Sequence, residues 1–80
     1  MRVFPNPATD AVYVYADAAD LATCNIQLTD MTGKIVFDKA PGHTSADYLK
    51  IETTGFAKGL YVLNMIHSDG TSYSEKILIQ

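Results

Sequence analysis

The chain has 80 residues, six of them basic and nine acidic; the formal charge of −3 and the lack of any basic run argue against a nucleic-acid partner. This length suits one domain, residues 1–80, with a single core between two packed layers. One cysteine, Cys24, rules out an intramolecular disulfide, and no apolar run approaches the roughly 20 residues of a transmembrane segment.

Val3-Phe4 is a short extended segment broken by Pro5-Asn6-Pro7. Prolines cannot donate to a ladder and they push the preceding residue toward extended geometry, so this segment is expected at an edge or a crossing. Met1-Arg2 enters it without a long apolar stretch, so an export signal is expected elsewhere. Ala11-Val12-Tyr13-Val14-Tyr15 predicts a strand with the valines inward and the tyrosines outward. Residues 17–22 are alanine-rich but short and lightly patterned, and read as a loop. The cleanest period-two alternation covers residues 24–30, with Cys24, Ile26 and Leu28 inward; Cys24 reads as a small buried hydrophobe rather than a reactive thiol.

Asp30-Met31-Thr32-Gly33 reverses the chain into a strand over residues 34–38, with Gly33 supplying a left-handed angle. Residues 39–46 form a loop, expected to connect the sheets, and residues 47–52 a strand with Leu49 and Ile51 on its apolar face. The final stretch from Gly59 to Gln80 is a β-hairpin around Ser68-Asp69-Gly70. Two registers are open. A two-residue loop at Asp69-Gly70 places Val62 opposite Ile77, with Asn64 and Glu75 on the apolar face. A three-residue loop with Gly70 left-handed gathers Tyr61, Leu63, Met65, Tyr73, Ile77 and Ile79 on one face, with Glu75 intruding. The second is preferred because it turns fewer polar groups inward, and it makes Tyr61 an inward anchor whose hydroxyl can reach backbone near Phe56. Seven short strands with turn signals between them predict an all-β, antiparallel immunoglobulin-like sandwich.

Residues suited to chemistry are sparse. His43 and His67 lack a second histidine or cysteine at ligand spacing, so no metal site or cofactor is expected. Ser45, His43 and Asp47 are neighbours in sequence, but triads are assembled by geometry rather than adjacency. Asp10, Asp17, Asp20, Asp30 and Asp69 match no calcium loop and read as turn residues. No catalytic residue is assigned, and recognition remains. In the preferred register Leu60, Val62, Asn64, Ile66, Lys76 and Leu78 share the outer face of the hairpin and form a candidate docking surface. The last strand, if an edge, could pair with a partner strand.

Four blocks occur in order: Val3-Phe4-Pro5-Asn6-Pro7-Ala8-Thr9-Asp10, Leu28-Thr29-Asp30-Met31-Thr32-Gly33-Lys34-Ile35-Val36, Phe56-Ala57-Lys58-Gly59-Leu60-Tyr61-Val62-Leu63 and Glu75-Lys76-Ile77-Leu78-Ile79. Together they resemble the C-terminal sorting domain of proteins exported by the type IX secretion system of Bacteroidetes. The resemblance implies a seven-stranded sandwich that is an address label rather than an enzyme, carried behind an N-terminal cargo domain. It further implies transit through the periplasm, recognition by the outer-membrane secretion machinery, and removal by a cell-surface sortase that can join the cargo to anionic lipopolysaccharide. The cargo then ends at the cell surface or secreted. By position, the sorting elements are Pro5, Asn6 and Pro7, Asp30 and Gly33, Gly59 and Tyr61, and Lys76 and Ile77. Gln80 stands where the family frequently has a basic residue, and Met1 is expected to mark an excised start because such domains ordinarily follow a cargo. An adhesion or carbohydrate-binding sandwich is the alternative, suggested by Tyr13, Tyr15 and the aspartate-bearing loops.

Overall fold

The computed structural model describes residues 2–42 and 48–80. Within them the chain forms β1 (Arg2–Phe4), β2 (Ala11–Tyr15), α1 (Ala18–Thr23), β3 (Asn25–Asp30), β4 (Ile35–Lys39), β5 (Tyr48–Glu52), β6 (Gly59–Ile66) and β7 (Ser72–Ile79). A three-stranded sheet runs β1-β2-β5 and a four-stranded sheet β4-β3-β6-β7, with every strand pair antiparallel. The seven-strand sandwich is as the turn spacing predicts.

Alternation builds the core. Val12, Val14 and Ile51 are buried from the three-stranded sheet, and Ile26, Leu28, Tyr61, Leu63, Met65, Ile77 and Ile79 from the four-stranded one. The last hairpin adopts the three-residue register: Tyr61 faces Ile77, Leu63 faces Glu75 and Met65 faces Tyr73. The His67 N–H donates to the Thr71 carbonyl (2.7 Å) and the Gly70 N–H to the His67 carbonyl (3.0 Å), with Gly70 at φ +93°. Tyr73 departs from the expected inward set. It shares the inner face by register yet remains 47 % exposed, although Met65 opposite it is buried.

Residues 17–22, read as a loop, instead enter a helix. No side-chain cap holds its start, so local propensity does not explain it. Long-range partners do: Leu21 is buried in the core, Lys39 Nζ donates to the Leu21 carbonyl (3.2 Å) and the Gly42 N–H to the Ala22 carbonyl (2.8 Å). These satisfy carbonyls that a helix end otherwise leaves unpaired. His43, Ser45 and Asp47 lie outside the described residues.

Candidate functional site

The Pro5-Asn6-Pro7 segment carries the chain from one sheet to the other. β1 pairs with β2, while Ala8 forms a parallel bridge with Ile79 of β7. Asn6 makes the first contact across: its Nδ2 donates to the Lys76 carbonyl and its Oδ1 accepts from the Leu78 N–H, both at 3.0 Å. Ala8 continues the ladder, donating to the Leu78 carbonyl and accepting from the Gln80 N–H, each at 2.8 Å. An asparagine side chain thus acts as one rung of a strand where Pro5 and Pro7 cannot supply N–H donors. The C-terminal part of the β7 edge, which could pair with a partner strand if it were open, is therefore covered from within the chain.

The β3–β4 turn is organised by Asp30. Its Oδ1 accepts from the Thr32 N–H (2.9 Å), the Thr32 hydroxyl (2.6 Å) and the Lys34 N–H (3.0 Å), and Gly33 sits at φ +89°. The Thr32 hydroxyl foremost, then the backbone donors of Lys34 and Thr32 and the Lys34 charge, hold the Asp30 carboxyl below its ordinary value of 3.8. Asp69 repeats the device, accepting from the Thr71 N–H (2.9 Å) and hydroxyl (2.7 Å). Both aspartates are turn residues.

Tyr61 is buried, and its hydroxyl donates to the Ala57 carbonyl at 2.6 Å, next to Phe56, whose ring centroid lies 6.0 Å from its own. Gly59, at φ +147°, opens β6 just before it. Ile77, across from Tyr61, is fully buried. Of the residues that the resemblance singles out, Tyr61 and Ile77 are core, Asp30, Gly33 and Gly59 shape backbone, and the Asn6 and Lys76 side chains lie at the surface.

On the outer face of the hairpin Leu60 is 45 % exposed and directly opposite Leu78, and Val62 is opposite Lys76. Val62, Ile66 and Leu78 are half-buried rather than open. Asn64 interrupts the patch: its Oδ1 accepts from the Ser74 hydroxyl (2.6 Å), and it faces Gln27 on β3. The contiguous apolar area thus comprises Leu60, Val62 and Leu78 with Lys76 beside them, and Ile66 is separated from it.

Two constellations escaped the sequence reading. The outward tyrosines belong to an aromatic face: Phe4 stacks on Tyr15 (centroids 4.8 Å), and Tyr48 lies 5.7 Å from Tyr15 and 6.0 Å from Tyr13. Pairing of β1, β2 and β5 builds it, with Tyr15 opposite Tyr48 and Phe4 opposite Tyr13. The second lies at His67, for which the sequence offers no second histidine or cysteine at ligand spacing. Cys24 Sγ lies 3.2 Å from His67 Nδ1, and Asp20 offers a carboxylate oxygen in the same cluster. Their spacing in sequence hides this, because a cross-strand neighbour and a helical turn bring them together.

Comparison with known proteins bears on what such a domain is for. A search of solved structures finds CopC from Methylosinus trichosporium OB3b, with a TM-score of 0.53 and 22 % identity over 98 % of this chain and 91 % of that one, a likeness of fold alone. An endo-acting ulvan lyase of Formosa agariphila is 27 % identical across the whole of this chain, which spans only 15 % of the lyase's length. The family model for the secretion system C-terminal sorting domain matches residues 2–80. The chain therefore belongs to the family of secretion system C-terminal sorting domains.

Proposed function

We propose that this domain is the non-catalytic export address of a larger protein, read by the outer-membrane type IX machinery and then removed from its cargo by a cell-surface sortase. The observation that carries the reading is the family match over residues 2–80, which takes in both the Asn6 segment and the β7 edge it closes. That clasp couples the entrance of the domain to its last strand, so a receptor meets a folded surface rather than a loose tail. The docking surface is Leu60, Val62, Lys76 and Leu78, where apolar area and one cation adjoin. A signal peptide and reporter fused ahead of the domain in a type IX host test this. Export is expected for the intact fusion and loss of export for a chain stopped before Gly59. Retention of the intact fusion in the periplasm, with the domain folded, would overturn the reading. Lys76→Ala and Leu60→Ser, which leave the core untouched, separate recognition from folding.

The aromatic face favours a second reading, an adhesion or carbohydrate-binding module, because four adjoining rings offer a stacking surface for a sugar. Saturable binding in a glycan panel, lost in a Tyr13→Ala/Tyr15→Ala double variant, would support it. Absence of binding across the panel removes it.

A further inference from the structure

We propose that Asp20, Cys24 and His67 form a binding site for a single Zn2+ ion, a property separate from sorting. One donor atom from each side chain, a carboxylate oxygen, a sulfur and an imidazole nitrogen, lies within 4.8 Å of the others. The Cys24 sulfur and His67 Nδ1 are 3.2 Å apart. Donors around a tetrahedral zinc with bonds of about 2.0 to 2.3 Å stand roughly 3.3 to 3.8 Å from one another. Sulfur and nitrogen are therefore already near their bound separation, and the carboxylate has to close by no more than about 1.5 Å. Asp20 is half-buried in the first turn of a six-residue helix, where side-chain rotation supplies that movement.

The scaffold fixes all three positions. Asn25 pairs with Ile66 at the end of the β3–β6 ladder, so Cys24 and His67 are the next cross-strand neighbours. Asp20 stands four residues before Cys24, one helical turn back, and its carbonyl accepts the Cys24 N–H at 2.9 Å. His67 is held on the other side by its backbone bonds to Thr71 and Gly70. The nearby Asp69 carboxylate is committed to Thr71, whereas among the described residues no hydrogen bond engages the carboxylate of Asp20.

The donor set selects the metal. Thiolate and imidazole suit zinc, while hard Ca2+ and Mg2+ prefer oxygen cages that one carboxylate cannot supply. Three protein donors leave a fourth position for water. Cys24 is fully buried, so a small ion, and not a bulky electrophile, is what this thiol can meet. Bound zinc would tie α1 and the start of β3 to the β6–β7 turn.

Titration of the 80-residue chain with Zn2+ by calorimetry, and with Co2+ by absorption, tests the site. Expected are saturation at one ion per chain, a thiolate-to-cobalt charge-transfer band, and a rise in Tm with added Zn2+. Even a supporting partner lost from a metal site costs about 10- to 100-fold in affinity, so His67→Gln and Asp20→Asn should each weaken binding at least that much. Both change half-buried side chains and keep the fold testable by circular dichroism if Cys24→Ser does not fold. His43→Gln should leave binding unchanged. Absence of saturable binding, or binding that His67→Gln and Asp20→Asn leave intact, would overturn the site, as would its loss in His43→Gln.

Discussion

Tyr61 anchors the core of the four-stranded sheet, because it is buried on its ring and satisfied at its hydroxyl. Tyr61→Ala should cost about 3 to 5 kcal/mol by emptying an aromatic site, whereas Tyr61→Phe should cost about 0.5 to 1.5 kcal/mol by leaving the Ala57 carbonyl without its donor. Denaturant melts distinguish the two, and equal losses would mean that the hydroxyl rather than the ring carries the stability. Asp30 acts electrostatically. Its carboxyl titrates below its ordinary 3.8, so the stabilisation is present above that value and is lost as pH falls through the lowered one. The Tm advantage of the wild-type chain over Asp30→Ala should therefore shrink as pH is taken from about 5 to about 2. An advantage independent of pH would place the effect in the turn's shape instead of its charge.

Elements hold together here through partners that are distant in sequence. Helix α1 has six residues, too few to stand by propensity, and persists because Leu21 is buried and its last carbonyls find Lys39 and Gly42. Leu21→Ala should cost about 2 to 5 kcal/mol, read from chemical denaturation, with the helix melting in the same transition as the sheets. A loss under about 1 kcal/mol would mean that α1 rests on its backbone contacts alone. At the β3–β4 turn a Cβ on Gly33 would meet nothing within 4 Å, so the objection to one is its φ of +89°. Gly33→Val should cost about 1 to 3 kcal/mol of backbone strain, with strand pairing unchanged in amide exchange outside the turn.

At the scale of the whole molecule, the segment from Asn6 to Ala8 closes the β7 edge and joins the two sheets. Edges left open invite pairing with other chains, and a short internal strand mimic is one way to prevent it. Asn6→Ala removes two hydrogen bonds and should destabilise the domain by about 1 to 3 kcal/mol. In the reporter fusion it should reduce export in proportion to the folded fraction. Export that collapses while the domain stays fully folded would make Asn6 a direct contact of the machinery.

Alternation and turn chemistry are local properties, so the sequence by itself determined the seven strands and the inward sets at Val12/Val14 and Ile26/Leu28, whereas it narrowed the last hairpin to two registers, between which the pairing of Tyr61 with Ile77 decides. The ordered Pro5-Asn6-Pro7, Asp30 to Gly33 and Gly59 to Tyr61 blocks made the family legible for the same reason, since glycine angles and aspartate turns are written residue by residue. Tertiary structure decided the rest. Whether residues 17–22 coil or turn depended on a core site for Leu21 and on Lys39, and with that helix unseen, the i to i+4 relation of Asp20 to Cys24 could not be read either. Cys24 and His67 became neighbours only when β3 paired with β6, and the aromatic face formed only when β1 and β5 flanked β2. Such sites arise from strand neighbours across the sheet, and no spacing along the chain encodes which strands those are.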